Sequence, residues 1–524
     1  MKKLLNFILT GAVLAATACT DLDLEPLSST TPSVFFKDES SYKAFIARVY
    51  AGLAVTGQAG PAGSADISSL DEGFSNYLRQ YWQFQELTTD EAVIGWGDEG
   101  LPDLHNHTWT SANQFVRAMY YRIFFQVSMA NEFLRESTDQ KLNERGVSQA
   151  VKNDIRHYRA EARFLRALSY YHGIDLFGNI PFYTEETAVG SEAPRQASRE
   201  EVFTFIENEL KAIENDMVAP GENQYGRADR AALWMLQAKL YLNAQVFTGR
   251  DRNTDCIAAC KKVIDSGLYS LEPTYRNLFT TDNHNSREII FAIPFDGKST
   301  QTWGGMTYLV HAPVGGSMNA ADYGINGGWF GLRTTGALVD LFPDPNGNTD
   351  KRALFYTAGQ SKEINSISNF NDGYALPKYT NVSSTGEPGS DLTHSDTDYP
   401  LFRLADAYLT YAEAVLRGGA GGDINTAVNY INQLRERAYG NASGNITVGD
   451  LNLDFILDER GRELHWEATR RTDLIRFDQF TANGIWPWKG GVKEGRTTET
   501  YRNLLPIPIS EILANDKLQQ NPGY

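Results

Sequence analysis

The sequence predicts a mainly α fold: an irregular, tetratricopeptide-like scaffold of helical pairs, with loop-rich insertions and a few short strands. Three observations carry this expectation. Long stretches repeat apolar residues at helical spacing. Two of them read as helix–turn–helix pairs with Ala at the contact positions. Between and before these pairs, residues 272–400 and 56–110 change to a texture rich in Gly, Asn, Ser, Thr and Asp.

The chain begins with a charged start, Lys2-Lys3, and an apolar run from Leu4 to Ala16. Ala16-Thr17-Ala18 then places small residues before Cys19, so residues 1–18 read as a signal peptide and Cys19 as a site of lipid attachment. The run is too short for a transmembrane helix, whereas two or three acyl chains give stable anchoring. Residues 19–32 are acidic and proline-punctuated, the composition of a flexible tether, with a helix start expected near Ser33. Residues 33–524 form the remaining domain.

Helical periodicity predicts helices over Ser40 to Leu53, Ala112 to Arg135, Asn153 to Phe177 and Glu200 to Asp216. The first pair runs from Arg230 to Phe247 and from Thr254 to Ser266, closed by Gly267. The second runs from Pro400 to Arg417 and from Ile424 to Tyr439, around a Gly-rich turn. Ala231, Ala232, Ala238, Ala405, Ala407, Ala412 and Ala414 mark helix–helix contacts. Leu453 to Arg476 reads as one further long helix, and Glu288 to Pro294 as a strand.

The formal charge is −17 and becomes −19 once Lys2 and Lys3 are removed, which argues against nucleic-acid binding. Catalytic motifs are absent: there is no G-x-S-x-G and no H-E-x-x-H. Gly297-Lys298-Ser299 imitates a phosphate loop, but Ala292 stands where a glycine is needed and no helix is expected to follow. Asp344 to Asp350 resembles half a calcium loop that closes on Phe355 instead of Glu. His105-Asn-His107 reads as a solvated loop. Cys256 and Cys260, four apart on a helix, read as small buried residues and not as metal ligands.

Tryptophans in loops are the informative residues. Trp96 lies in Gly95-Trp-Gly97, Trp303 precedes Gly304-Gly305, and Trp329 follows Gly327-Gly328. Glycine has no side chain to cover a neighbouring ring, and an exposed indole calls for a partner. The apolar face of a sugar ring suits it. Trp234 and Trp466, set in helical patterns, are expected in the core.

Several segments together resemble the SusD/RagB family over essentially the whole mature chain. They include Arg163 to Tyr171, Asp175 to Phe182, Gly226 to Trp234, Pro400 to Ala414, Glu459 to Leu464, Arg470 to Phe477 and Leu505-Pro-Ile-Pro508. Val55-Thr-Gly-Gln58, Asp71-Glu-Gly73, Glu86 to Glu91, Trp303 to Val310 and Trp486 to Gly491 resemble its starch-binding branch more closely. The resemblance implies a surface-exposed outer-membrane lipoprotein that binds a glycan, breaks no bond and needs no cofactor. It implies a partner too, a SusC-like TonB-dependent barrel to which oligosaccharide is delivered. Trp96, Trp303 and Trp329 fall on the family's arc of three aromatic rings for an α-1,4-glucan, Trp303 standing in place of a tyrosine. Hydroxyl-binding positions fall on Asp71 and Arg79. An amide position falls in Gly97-Asp-Glu-Gly100, where this chain is one residue shorter and offers Asp98 or Glu99. The family's calcium position falls near Asp396-Thr-Asp398, where the facing loop around Asp282 differs, and no ion is assigned there.

Overall fold

A computed structural model describes residues 35–36, 38–61, 65–68 and 70–524. The expected signal peptide, Cys19, the tether and the helix start near Ser33 lie outside the described residues. Among the described residues, those up to Ser41 belong to one unit and those from Tyr42 to Tyr524 to a second. In the first, Ser41 Oγ donates to Phe35 O at 2.5 Å. The second carries the scaffold.

Its principal elements follow in chain order: α1 (Ser40–Ala54), α2 (Tyr77–Glu86), β1 (Ala92–Ile94), α3 (Gln114–Glu136), α4 (Gln149–Phe177), α5 (Arg199–Ile213), α6 (Arg230–Leu242) and α7 (Asn253–Ile264). Then come β2 (Ile289–Ile293), α8 (Gly305–His311), β3 (Leu332–Thr334), β4 (Tyr399–Arg403), α9 (Leu404–Leu416), α10 (Ile424–Tyr439), α11 (Leu453–Leu464) and α12 (Arg470–Arg476). Helix starts are set by side-chain caps. Asn113 accepts from Phe115 N and Val116 N, Asp229 from Ala231 N and Ala232 N, and Asp423 from Thr426 N. Ser198 caps α5 through Glu201 N. Gly440, at φ 72°, ends α10 in the left-handed region.

The expected mainly α scaffold is present. α3 packs on α4 and α4 on α5, while α6 packs on α7, α7 on α9, and α9 on α10. The two predicted pairs therefore stack on each other although a long insertion separates them in sequence. All seven alanines expected at helix contacts are buried. Within the described residues the sheets are two-stranded: β1 with β3, β2 with β4, and Ile180–Pro181 with Gln196–Ala197.

Four expectations are corrected. Pro400 to Arg403 is strand and not the first turn of a helix. Pro400 lacks an N–H and disfavours helix at the residue before it, so the segment stays extended as β4 and pairs with β2 through Ala292↔Pro400 and Ile293↔Tyr399. The helix begins only at Leu404. The expected helix over Arg230 to Phe247 breaks at Asn243, whose side chain accepts from Arg476 Nη1 at 2.9 Å, and a short helix follows at Ala244–Thr248. The single helix expected over Leu453 to Arg476 is interrupted between α11 and α12. Trp466 and Ala468 there have φ of 60° and 57°, and their neighbourhood gives its backbone bonds to distant partners. Trp466 N donates to Glu91 at 2.9 Å, Thr469 N to Glu86 at 3.2 Å, and Trp466 O accepts from Trp82 Nε1 at 2.9 Å. Lastly, residues 56–110, expected to be loop-rich, hold a fully buried helix, α2.

The interior contains a network of charges. Arg403 bonds Glu288 and Glu467 at 2.6 Å and Glu463 at 2.7 Å. Arg352 bonds Asp350, Glu459 and Glu463 at 2.7, 2.8 and 3.1 Å. Arg437 joins Glu288 to Glu463, and Lys378 reaches Glu467 at 2.7 Å. A second cluster links Arg476 to Glu413 and Asp473, and Arg460 to Asp473 and Asp406. A buried charge without its partner costs several kcal/mol. Arg403→Met leaves Glu288, Glu463 and Glu467 short of a cation, and should destabilise the chain by about 3–5 kcal/mol in urea unfolding.

Acid should act on the same network. Burial pushes Glu413 up, but Arg476 and Arg417 outweigh it and hold its pKa at about 2. Arg352, Arg462 and Arg435 likewise outweigh burial at Glu459, again holding it at about 2. An unfolded Glu titrates near ~4.3. Their contribution is therefore complete above about pH 4.3 and is lost as pH falls toward 2. Burial lowers His105 to about 4 and His107 to about 3, so their loss sets in earlier, as pH falls below the unfolded histidine value near ~6.5, and is complete below those folded values. The urea midpoint should drop steeply below about pH 4.3.

Candidate functional site

Two remote segments meet first. β1 and β3 pair antiparallel with Ala92↔Thr334, Val93↔Arg333 and Ile94↔Leu332. Gly95 N extends the ladder to Gly331 O at 2.9 Å. Trp96 leaves β1 at the same end at which Trp329 approaches β3. Trp96 Nε1 donates to Trp329 O at 3.0 Å. Gly331 is required at this crossing, since a Cβ there would lie 2.5 Å from the Trp96 ring.

The third ring arrives from the start of α8. Trp303 N donates to Glu72 Oε2 at 2.8 Å, and Thr302 Oγ1 to Glu72 Oε1 at 2.7 Å. The result is a row with Trp329 in the middle. Its centroid is 6.2 Å from Trp96 and 6.4 Å from Trp303, with interplanar angles of 46° and 48°. Trp303 is 42% exposed; Trp96 and Trp329 are half-buried. All three sequence-predicted tryptophans are thus brought together at the surface.

Each ring has a backing. His311 stacks on Trp329 at 4.8 Å and 23°. Its two nitrogens face Gly327 O at 2.7 Å and Thr393 O at 2.8 Å, which fixes the plane of the imidazole. His394 lies 5.1 Å from Trp303, and Tyr308 meets Trp96 edge-on at 5.9 Å.

Arg79 lies beneath Trp96. Its guanidinium sits over Tyr308 at 4.3 Å, Phe74 at 4.7 Å and Trp96 at 5.9 Å. Only 3% of the residue is exposed, and Nε and Nη2 have no hydrogen-bond partner. Burial lowers its pKa, against the attraction of Tyr308, Asp71, Asp98 and Glu72; a guanidinium stays charged regardless. Asp71 is exposed and Asp98 half-buried. The Asp71 carboxylate accepts from Phe74 N at 3.2 Å. Both unpaired nitrogens are themselves closed off from solvent, so the cation acts on the face through its charge. The face therefore combines apolar surface with carboxylate acceptors above a buried cation.

Two residues that position this face were not identified from the sequence. Glu72 was passed over beside Asp71, yet it holds Thr302 and the Trp303 backbone. Asn76 Oδ1 caps α2 through Arg79 N and also accepts from Gly305 N, both at 3.0 Å, while its Nδ2 donates to Ala54 O at 2.7 Å. One amide thus joins α1, α2 and α8. Its cap position ahead of Tyr77 was the available signal.

Other readings are settled by position. Cys256 and Cys260 are buried, as expected. Trp466 is fully buried, but Trp234 is only half-buried and donates Nε1 to Glu214 at 2.8 Å, a correction of its expected core role. His105 and His107 are buried, not solvated, because His107 bonds Thr88 O at 2.7 Å and Thr498 at 3.1 Å. A helix does start near the phosphate-loop mimic, at Gly305, contrary to expectation, because Asn76 accepts from its first N–H. In the mimic, the Lys298 and Ser299 N–H groups are taken by Asp296, each at 2.8 Å. Asp344 likewise accepts from its own loop, from Asn346, Asn348 and Thr349. Asp396 is occupied by Gly297 N and Ser390, and Asp398 by Phe295 N and Tyr225. The described residues contain no group of three or more His, Cys, Asp or Glu arranged for a metal. They also contain no helix long and apolar enough to cross a membrane.

Comparison with known proteins matches this architecture. The SusD family pattern covers residues 349–524. The starch-binding protein SusD of Bacteroides thetaiotaomicron is 36% identical, over 97% of this chain and 96% of its own. SusD-like protein P2 of Formosa agariphila is 26% identical, over 98% of each chain. Among solved structures, a SusD superfamily protein from Bacteroides vulgatus superposes with a TM-score of 0.72 at 19% identity, over 93% of this chain and 100% of that one. A surface glycan-binding protein A from Bacteroides thetaiotaomicron, in complex with laminarihexaose, gives 0.68 at 19% identity, over 92% and 98%. With 36% identity to one member over nearly the whole of both chains and the family pattern over residues 349–524, the chain belongs to the SusD family.

Proposed function

We propose that this protein is a cell-surface lipoprotein that captures starch or malto-oligosaccharides and presents them to a SusC-like TonB-dependent transporter in the outer membrane. The row of three indoles carries this reading: Trp96, Trp329 and Trp303, spaced 6.2 and 6.4 Å apart and turned by nearly half a right angle at each step. A flat polymer would suit parallel rings. A row of turned faces suits a curved α-1,4-glucan, whose successive C–H faces stack in sequence. Asp71 and Asp98 accept from sugar hydroxyls, above the buried charge of Arg79. Asp98 cannot donate, unlike an amide at that position. The relative at 36% identity, named a starch-binding protein, supports the same sugar.

The protein binds and does not catalyse, as its family implies. Each hydrogen bond to a hydroxyl nets little, because the free sugar is well solvated. Affinity for one site is accordingly modest, and a polymer that engages many copies on one cell gains by avidity. A second reading, a different glycan on the same rings, is favoured by one observation: a protein of this fold was solved with laminarihexaose. The scaffold alone does not select the sugar.

Isothermal titration separates the two. Maltoheptaose should give saturable heat and laminarihexaose none; the reverse would replace the sugar while retaining the binding role. Absence of heat with any glycan, together with co-purification of a barrel, would instead favour a lid with little glycan affinity of its own. Trp96→Ala, Trp303→Ala and Trp329→Ala should each weaken maltoheptaose binding about tenfold or more, which is about 1.4 kcal/mol. Anchoring through Cys19 is tested by metabolic labelling with palmitate. Label should enter the wild-type chain and be absent from Cys19→Ala, which should leave the membrane fraction.

A further inference from the structure

Directly after the central ring stands a residue that neither packing nor backbone preference accounts for. Phe330 is 53% exposed, more than any of the three tryptophans. Its φ is 55°, in the left-handed region where a bulky side chain is disfavoured. An exposed phenyl ring on a strained backbone combines two costs, and such strain concentrates at ligand clamps.

The surroundings hold the ring in place. Phe330 N donates to Val314 O at 3.0 Å. The ring meets Phe370 edge-on at 5.5 Å, and Phe370 itself is buried, with the Arg333 guanidinium 5.8 Å from its centroid. Arg333 is anchored in turn by Asp372 O at 2.7 Å. Gly315 makes room for the pair, since a Cβ there would lie 2.5 Å from Phe330 and 2.9 Å from Phe370. At the next residue, Gly316, a Cβ would lie 2.9 Å from Asn371 Oδ1. Asn371 is exposed, and no hydrogen bond engages its side-chain amide among the described residues. A supported apolar ring therefore lies beside a free amide, one residue along the chain from Trp329.

We propose that Phe330, backed by Phe370 and flanked by Asn371, forms an additional stacking subsite next to Trp329. It takes a pyranose unit of a glycan that runs beyond the three tryptophans, with the Asn371 amide bonding a hydroxyl of that unit. This rests on the glycan-binding reading above and adds a length preference to it. Short oligosaccharides fill the tryptophan row alone; longer ones reach Phe330.

The test is a titration of maltotriose and maltoheptaose against the wild-type chain, Phe330→Ala, Phe330→Tyr and Phe330→Gly. Phe330→Ala should weaken maltoheptaose three- to tenfold and maltotriose less than twofold. Phe330→Tyr keeps a stacking face and should bind as wild type. Phe330→Gly relieves the left-handed backbone, so its thermal midpoint should hold or rise while maltoheptaose binding falls. A merely structural role would move stability and binding together, and that result would overturn the proposal. Equal loss at both lengths, or no loss at either, would overturn it as well. Absence of glycan binding by the wild-type chain would overturn the subsite and the glycan-binding reading together; wild-type binding that Phe330→Ala leaves unchanged would overturn the subsite alone.

Discussion

Buried charge is the constraint on which the rest of this structure depends. Arg403, Arg352, Arg437, Glu288, Glu459, Glu463 and Glu467 come from segments spread over much of the chain, and each is nearly or fully inaccessible to water. No member tolerates the interior alone. The network therefore specifies one arrangement of α10 and α11 around the strand pair β2–β4. A hydrophobic core of the same volume would hold those helices together with less geometric choice. Here the position of each carboxylate also sets where the neighbouring backbone runs.

That influence reaches the aromatic face. Arg470 bonds Asp90 at 2.6 Å, and Glu91 accepts from Trp466 N directly ahead of β1. The strand that delivers Trp96 is thus tied at its start to the ionic scaffold. At the other end, Glu72 and Asn76 fasten the approach to Trp303. Trp303 is exposed and Trp96 and Trp329 are half-buried, while the supports Glu91 and Asn76 are fully buried. An aromatic face made largely of loops acquires definite geometry because polar anchors such as Glu91, Glu72 and Asn76 fix the segments that carry its rings.

Much of the fold was legible because it is written in local patterns. The helical pairs, α10 among them, follow from apolar spacing and contact alanines. The site tryptophans were legible for a related reason: glycines beside an indole signal a ring that its own neighbours cannot cover. What escaped is set by distant partners. The interruption after α11 depends on Glu86 and Glu91, almost four hundred residues earlier. His105 and His107 lie in a polar stretch, yet Thr88 and Thr498 draw His107 inward. Asn76 looks like any loop asparagine until Gly305 arrives at its carbonyl. Pro400 is the exception, since its missing N–H argued for an extended segment locally, and the alanine periodicity that follows masked it.

The pairing of β1 with β3 has a consequence for how the protein comes into being. These strands lie roughly 240 residues apart, and contacts of such high order form late, after the entropy of closing a long loop has been overcome. The helical pairs are local and can assemble early. The aromatic row cannot exist until the chain between its strands has already been laid down and ordered. A partly folded copy therefore lacks the row, and the presence of the row is itself a report that folding has finished.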